Sequence, residues 1–337
     1  MSHLPAEFPE DRQFDEPHSQ NAHAAEQTDE AEQMDPADQS QPMQASGEMQ
    51  PRDNEPFFCQ VLMEPQPPPE RIPNFGHLGI LFLLALLGLF SAIMLARVGI
   101  YFHLFGVSTV PQAANEIHYT LGTEGLFYLL TYAGAAALFP ALWGRSLLSG
   151  LQWRARVAGR RMGYLFSAAG ACFLLAILNS VLIPGPENAP IDKIFRMPGA
   201  AWVLFLFGIT FAPFFEEIAF RGFLLPALAT AFDWSAEQFT HRLPNPPDRN
   251  GHPNWSLPAM ASASIITSIL FALLHAEQTA SAIGPFLLLV CVSLVLCGVR
   301  LLFRSLAASV FVHACYNFLL FSLMFLGTSG FRHLDNM

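Results

Sequence analysis

The chain reads as an all-α polytopic membrane protein with seven or eight transmembrane helices behind a disordered N-terminal tail. Three observations carry this reading: seven long apolar runs, a sharp change of composition near residue 70, and a dense basic cluster in one short loop. The runs are Leu78–Leu95, Leu126–Trp143, Tyr164–Ile183, Gly199–Phe215, Ala259–Leu274, Ile283–Val299 and Leu306–Leu326. About 20 apolar residues span a bilayer core as a helix, and the workable range begins at about 17. Seven such stretches are too many for the core of one soluble protein.

The segment before the first run differs in kind. Residues 1–70 hold 16 of the 27 acidic residues and only two basic ones, Arg12 and Arg52, in a background of Gln, Pro, Ser and Ala. Such a composition cannot bury enough apolar surface to offset its ordering entropy, so residues 1–74 are expected to form a disordered acidic tail. The remainder holds 15 basic and 11 acidic residues, a local charge of +4, so the overall −10 belongs to the tail. That balance argues against nucleic acid as a partner. An acidic, Pro-rich N-terminus of this length does not resemble a cleavable signal. Cys172, Cys291, Cys297 and Cys315 lie in the apolar runs and Cys59 in the tail, with no spacing that suggests a disulfide framework or zinc knuckle.

Positive charge in short loops sets membrane orientation. Arg145, Arg154, Arg156, Arg160 and Arg161 follow the second run, so that loop and the N-terminus are expected on the cytoplasmic side of the cell membrane. The chain then divides into the tail, N-terminal helices over 75–198, a core over 199–327 and a short tail over 328–337. The 34 residues from Gly199 to Phe232 exceed one perpendicular span, and Pro213 is expected to kink them.

Inside that core stand the costly residues. Glu216, Glu217 and Arg221 lie in the run FAPFFEEIAFRGFLLPALA. A charge at the bilayer centre costs about 2.5–3.5 kcal/mol on insertion scales, so three within six positions imply use. Glu217 and Arg221 share a helix face in the favoured order, which suggests a clamp. Glu216 points about 100° away and is left to act as a base. His275 ends the apolar run ASIITSILFALLHAEQ, four residues after Phe271. His313 lies within SLAASVFVHACYNFLL, and Asn317 follows one turn later on the same face. That spacing aims an imidazole and a carboxamide at one point, as an oxyanion pocket requires. An interhelical polar contact is the structural alternative.

The ordered set E-E-x-x-x-R, F-x-x-x-H and H-x-x-x-N, each on an apolar helix, resembles the CPBP intramembrane proteases, the CaaX protease and bacteriocin-processing enzyme type. Glu216 to Gly222 fits the longer E-E-x-x-F-R-G form, and the likeness covers about residues 199–322. It implies a membrane-embedded, CaaX prenyl protease-like peptidase acting on a peptide or membrane-protein substrate, a prenylated one included. Glu216 would polarise the attacking water with help from His275. His313 and Asn317 would form the oxyanion pocket, and Glu217 and Arg221 would support the first group. No obligatory cofactor is the leading expectation. Zinc is the alternative, with Glu216, His275 and His313 as its ligands. Two other functions are compatible with intramembrane polar groups: a proton-coupled transporter, and a non-catalytic scaffold or immunity-type protein of the same fold. One tension remains within the reading. Equal span boundaries would put His275 and His313 at depths differing by roughly 12 Å, at 1.5 Å per helical residue.

Overall fold

A computed structural model describes residues 71–183, 190–195, 197, 199–248 and 251–332. The expected disordered tail lies outside the described residues except for its last four, and so does most of the turn before the fourth span. Every regular element among the described residues is helical. Seven are long and apolar enough to cross a membrane, so this is a multi-pass membrane protein.

The spans are α1 (Phe75–Tyr101), α2 (Ile117–Trp143), α3 (Met162–Leu182), a broken helix from Ala200 to Thr240, α7 (Leu257–Leu274), α8 (Ile283–Phe303) and α9 (Leu306–Gly327). The broken helix consists of α4 (Ala200–Ile209), α5 (Phe211–Glu217), a widened turn at Ile218–Leu224, and α6 (Leu225–Thr240). α1 and α2 pack against each other along their length, and small residues make that possible. A Cβ at Gly88 would stand 2.5 Å from Thr131 Oγ1. On the other side of the broken helix, α3, α8 and α9 enclose Leu165, Ala169, Cys172, Leu296, Ala308 and Val312. Here too small side chains bring helix backbones close, the usual basis of association in lipid. α7 closes the bundle against α6 and α8. The outer face of α1, with Leu83, Leu86, Leu87 and Phe90 exposed, is of the kind that lipid covers.

The break in the fourth span falls at Thr210 (φ −124°, ψ −74°) and not at Pro213 itself. Pro213 sits in the first turn of α5, where its missing N–H leaves no hydrogen bond unmade. Its ring would clash with the carbonyl of Ile209, so the helix gives way just before it.

One end of the bundle carries a belt of ion pairs. Arg71 meets Glu237 at 2.8 Å, Arg242 meets Asp233 at 3.0 Å, and Arg304 meets Asp248 at 2.9 Å. The loop bearing Arg154 reaches the same Asp248 at 3.6 Å. The loops after the second, fourth and sixth spans thus share an end with residue 71, as an even number of crossings from that end requires. The belt also removes the depth mismatch. α7 starts at Ser256, whose N–H is held by Asp233 at 2.8 Å, roughly 24 Å beyond Glu217 along the helix at 1.5 Å per residue. α9 starts much deeper, because Leu306, its first residue, packs with Ile218 and Phe223 and lies 3.5 Å from where a Cβ at Gly222 would stand. The two spans enter at different levels, so an early His313 and a late His275 meet.

Candidate active site

The glutamates sit where the fourth span changes pitch. After Glu217 the backbone loosens to the wider spacing in which the Leu225 N–H reaches Phe220 O, five residues back. Such bulges recur at functional sites because they leave carbonyls free and re-aim side chains. Neighbouring helices bond carbonyls on either side of the start of this turn. Tyr132 of α2 donates to Phe215 O at 2.9 Å, and Arg300 of α8 donates through Nε to Arg221 O at 3.3 Å.

Glu217 and Arg221 are fully buried and paired at 2.8 Å. The same Glu217 oxygen takes His313 Nδ1 at 3.0 Å. Arg221 also donates to Ser293, at 2.7 Å to the hydroxyl and 3.2 Å to the carbonyl, and its guanidinium lies 4.8 Å from the centre of the Phe271 ring. The clamp is therefore larger than the i,i+4 pair, spanning the fourth span, α7, α8 and α9. One Glu217 oxygen thus ties together a guanidinium and an imidazole from two different helices.

Glu216 is different. Its side chain keeps 15% of its exposure against 0% for Glu217. His275 Nε2 stands 3.9 Å from one Glu216 oxygen and His313 Nε2 stands 3.9 Å from the other. Each imidazole is fixed from behind. His275 Nδ1 lies 2.8 Å from the Phe271 carbonyl, which can only accept, so that nitrogen carries the proton. In the neutral ring Nε2 then presents a lone pair towards Glu216. This gives Phe271 of the second motif two jobs: its carbonyl sets the His275 tautomer while its ring lies under Arg221. Asn317 stands one turn beyond His313, and its Nδ2 donates to Gly208 O at 2.7 Å, beside the break. The carboxamide is thus tied to α4, and Glu216, His275 and His313 are the three that converge.

α2 adds groups that the motif reading missed. Tyr128 and Tyr132 stack on Phe215, with ring centres 5.3 and 4.9 Å apart. With Thr131, Glu216, Ala219 and the facing side of α1 they line an apolar cavity of about 390 Å³. Glu124, one turn before Tyr128, accepts its hydroxyl at 3.1 Å. A lone acidic residue in an otherwise apolar span was the available sequence signal for it. Ser293 and Arg300 gave no comparable signal, since their partners are backbone carbonyls and residues far away in the chain.

Residues 198–319 match the Rce1-like family of type II CAAX prenyl endopeptidases. This is the CPBP and CaaX protease family that the three motifs resemble, and the match spans all of them. No curated protein and no solved structure matches the chain. The first three spans, with Glu124 and Tyr128, lie outside the matched segment.

The same side chains are spaced too widely for zinc as they stand. Zinc ligands at about 2.0–2.2 Å in a tetrahedral site stand roughly 3.4 Å apart. Glu216 is 3.9 Å from each histidine, and among the described residues no three His, Cys, Asp or Glu side chains are arranged to hold a metal ion.

Proposed function

We propose that the protein is an intramembrane endopeptidase that hydrolyses a peptide bond with water activated by Glu216 and His275. The observation that carries this is the convergence of one part-exposed carboxylate and two imidazole Nε2 atoms, each at 3.9 Å, on the wall of an apolar cavity. One water can bridge a gap of that width, with bonds of about 2.8 Å to each side meeting at roughly 90°. The water gives a proton to Glu216 or to the free Nε2 of His275 as its oxygen adds to the scissile carbonyl carbon. His313, whose Nδ1 rests against Glu217, presents Nε2 on the side where the oxyanion forms, and a hydrogen bond from that nitrogen would stabilise it. The carbon–nitrogen bond then breaks as the held proton moves to the leaving nitrogen. Glu217 and Arg221 keep His313 in place throughout.

The cavity suits a substrate with an apolar chain, and the family description makes a prenylated CaaX-type peptide the first candidate. The basic end of the bundle supports placing that end, and the N-terminus, in the cytoplasm. No step runs through a metal, so dialysis against a strong chelator is expected to leave cleavage intact. Loss of activity that zinc restores would overturn that part. The decisive comparison is of membrane proteomes and released peptides from cells carrying the wild type or Glu216→Gln. Peptides that appear only with the wild type support the reading. Identical sets with a folded variant would favour a scaffold.

A further inference from the structure

Among the described residues, the cavity beside Glu216 has four polar side chains on its wall: Tyr128, Thr131, Tyr132 and Glu216. Every hydroxyl among them already has its proton committed inside the protein. Tyr128 donates to Glu124 Oε1 at 3.1 Å, Thr131 to Phe127 O at 2.8 Å and Tyr132 to Phe215 O at 2.9 Å. A hydroxyl has one proton and two lone pairs, so what remains for a ligand is acceptor capacity. Glu216, when ionised, is acceptor-only as well. The lining side chains thus offer a guest hydrogen-bond acceptors and no donor.

Two of those hydroxyls bond to backbone carbonyls, an arrangement that ordinary helix packing supplies. Tyr128 is the exception. Its acceptor is a carboxylate placed in an apolar span, where such a group is expensive and commonly functional. Removing Glu124 would free the phenol proton to turn towards the cavity. Tyr128 is also stacked on Phe215, the residue next to Glu216, so its oxygen belongs to the wall that a bound peptide meets.

We propose that Tyr128 is a substrate-binding residue that accepts a backbone N–H of the peptide, and that Glu124 is the positioning residue that holds the phenol proton out of the way. The proposal rests on the endopeptidase reading and gives the substrate a direction. An extended peptide entering an apolar cavity brings amide hydrogens that are costly to leave unpaired. This wall pairs them. A C-terminal carboxylate needs donors and, with Glu216 ionised, finds none among the described lining side chains, so the segment lodged in this cavity is the amide-bearing one, and the carboxylate end lies elsewhere.

The test uses full-length protein in nanodiscs and a fluorescent farnesylated peptide of the Cys-aliphatic-aliphatic-X type, with analogues N-methylated at each amide in turn. Affinity is measured in the Glu216→Ala background, so it is read without cleavage and without adding a hydrogen-bond donor to the wall. Cleavage of the same peptide by protein carrying Glu216 is scored separately and tests the endopeptidase reading. Tyr128→Phe should weaken binding about five- to tenfold. N-methylation at one amide should weaken binding to Tyr128-containing protein by a similar factor and have no further effect on Tyr128→Phe. Glu124→Leu should behave like Tyr128→Phe, and Glu124→Gln, whose amide oxygen still accepts the phenol proton, should recover most of the loss. Equal affinity with and without the Tyr128→Phe substitution, N-methyl effects that ignore that substitution, or failure of the peptide to bind would each overturn the proposal. Thermal unfolding of each variant separates loss of binding from loss of fold.

Discussion

Two neighbouring glutamates in one apolar helix have opposite surroundings, and the difference should be measurable. Glu217 is sealed in with Arg221 and His313, whereas Glu216 opens on the cavity. Replacing Glu217 with Gln leaves a buried guanidinium without its counter-charge, a loss of about 3–5 kcal/mol for a buried pair broken on one side. A marked drop in the thermal midpoint in detergent should report it. Glu216→Gln should unfold near the wild-type midpoint yet lose about a thousandfold or more in cleavage rate, on the scale of removing a group that acts in the transition state. A variant pair with the reverse pattern would exchange the two roles. The clamp was readable from the chain, because glutamate four residues before arginine has a fixed geometric meaning. That His313 leans on Glu217 was not, since residues 96 positions apart are joined only by tertiary folding.

At the scale of elements, the seven spans were legible because bilayer thickness translates directly into run length. What composition could not supply was local pitch and relative depth. The helix yields at Thr210, ahead of Pro213, and it widens after Glu217, where hydrogen-bond counts depend on what neighbouring helices offer. Tyr132 and Arg300 provide that offer from α2 and α8. Deleting Ala219 should therefore restore tight helical pitch and turn the glutamates relative to the Arg221 partners on α8 and to His313 on α9, with loss of both stability and cleavage in the same assays. The α1–α2 contact is sensitive for a simpler reason. Gly88→Ala puts a methyl 2.5 Å from Thr131 Oγ1 and 3.1 Å from its backbone nitrogen. Overpacking of this kind costs about 1–3 kcal/mol, and unfolding by increasing denaturing detergent should show it.

Across the whole molecule, the proposed placing of the basic end in the cytoplasm can be tested directly. Cysteines introduced at Ser146 and Ser108, both exposed and on opposite ends, should be modified by an impermeant thiol reagent from opposite sides, with Ser146→Cys reacting only from the cytoplasm. Equal labelling from one side would overturn the topology. His252 in the belt gives a pH dependence outside the membrane. Burial, reinforced by Arg154, pushes its imidazole below the ordinary 6.5. The unfolded loop therefore takes a proton before the folded one does. The stability of this end should fall as pH drops below about 6.5, and stop falling once the folded group is also protonated. Hydrogen exchange of the loop ahead of α7 between pH 7.5 and 5.5 should follow that course, and His252→Gln should flatten it. The seat of Tyr132 against Phe215 O reaches further than its single bond. It joins a helix outside the family-matched segment to the residue beside Glu216. The cavity wall thus combines α1 and α2 with the matched segment, and a change in the second span can alter what fits beside Glu216 without touching a motif.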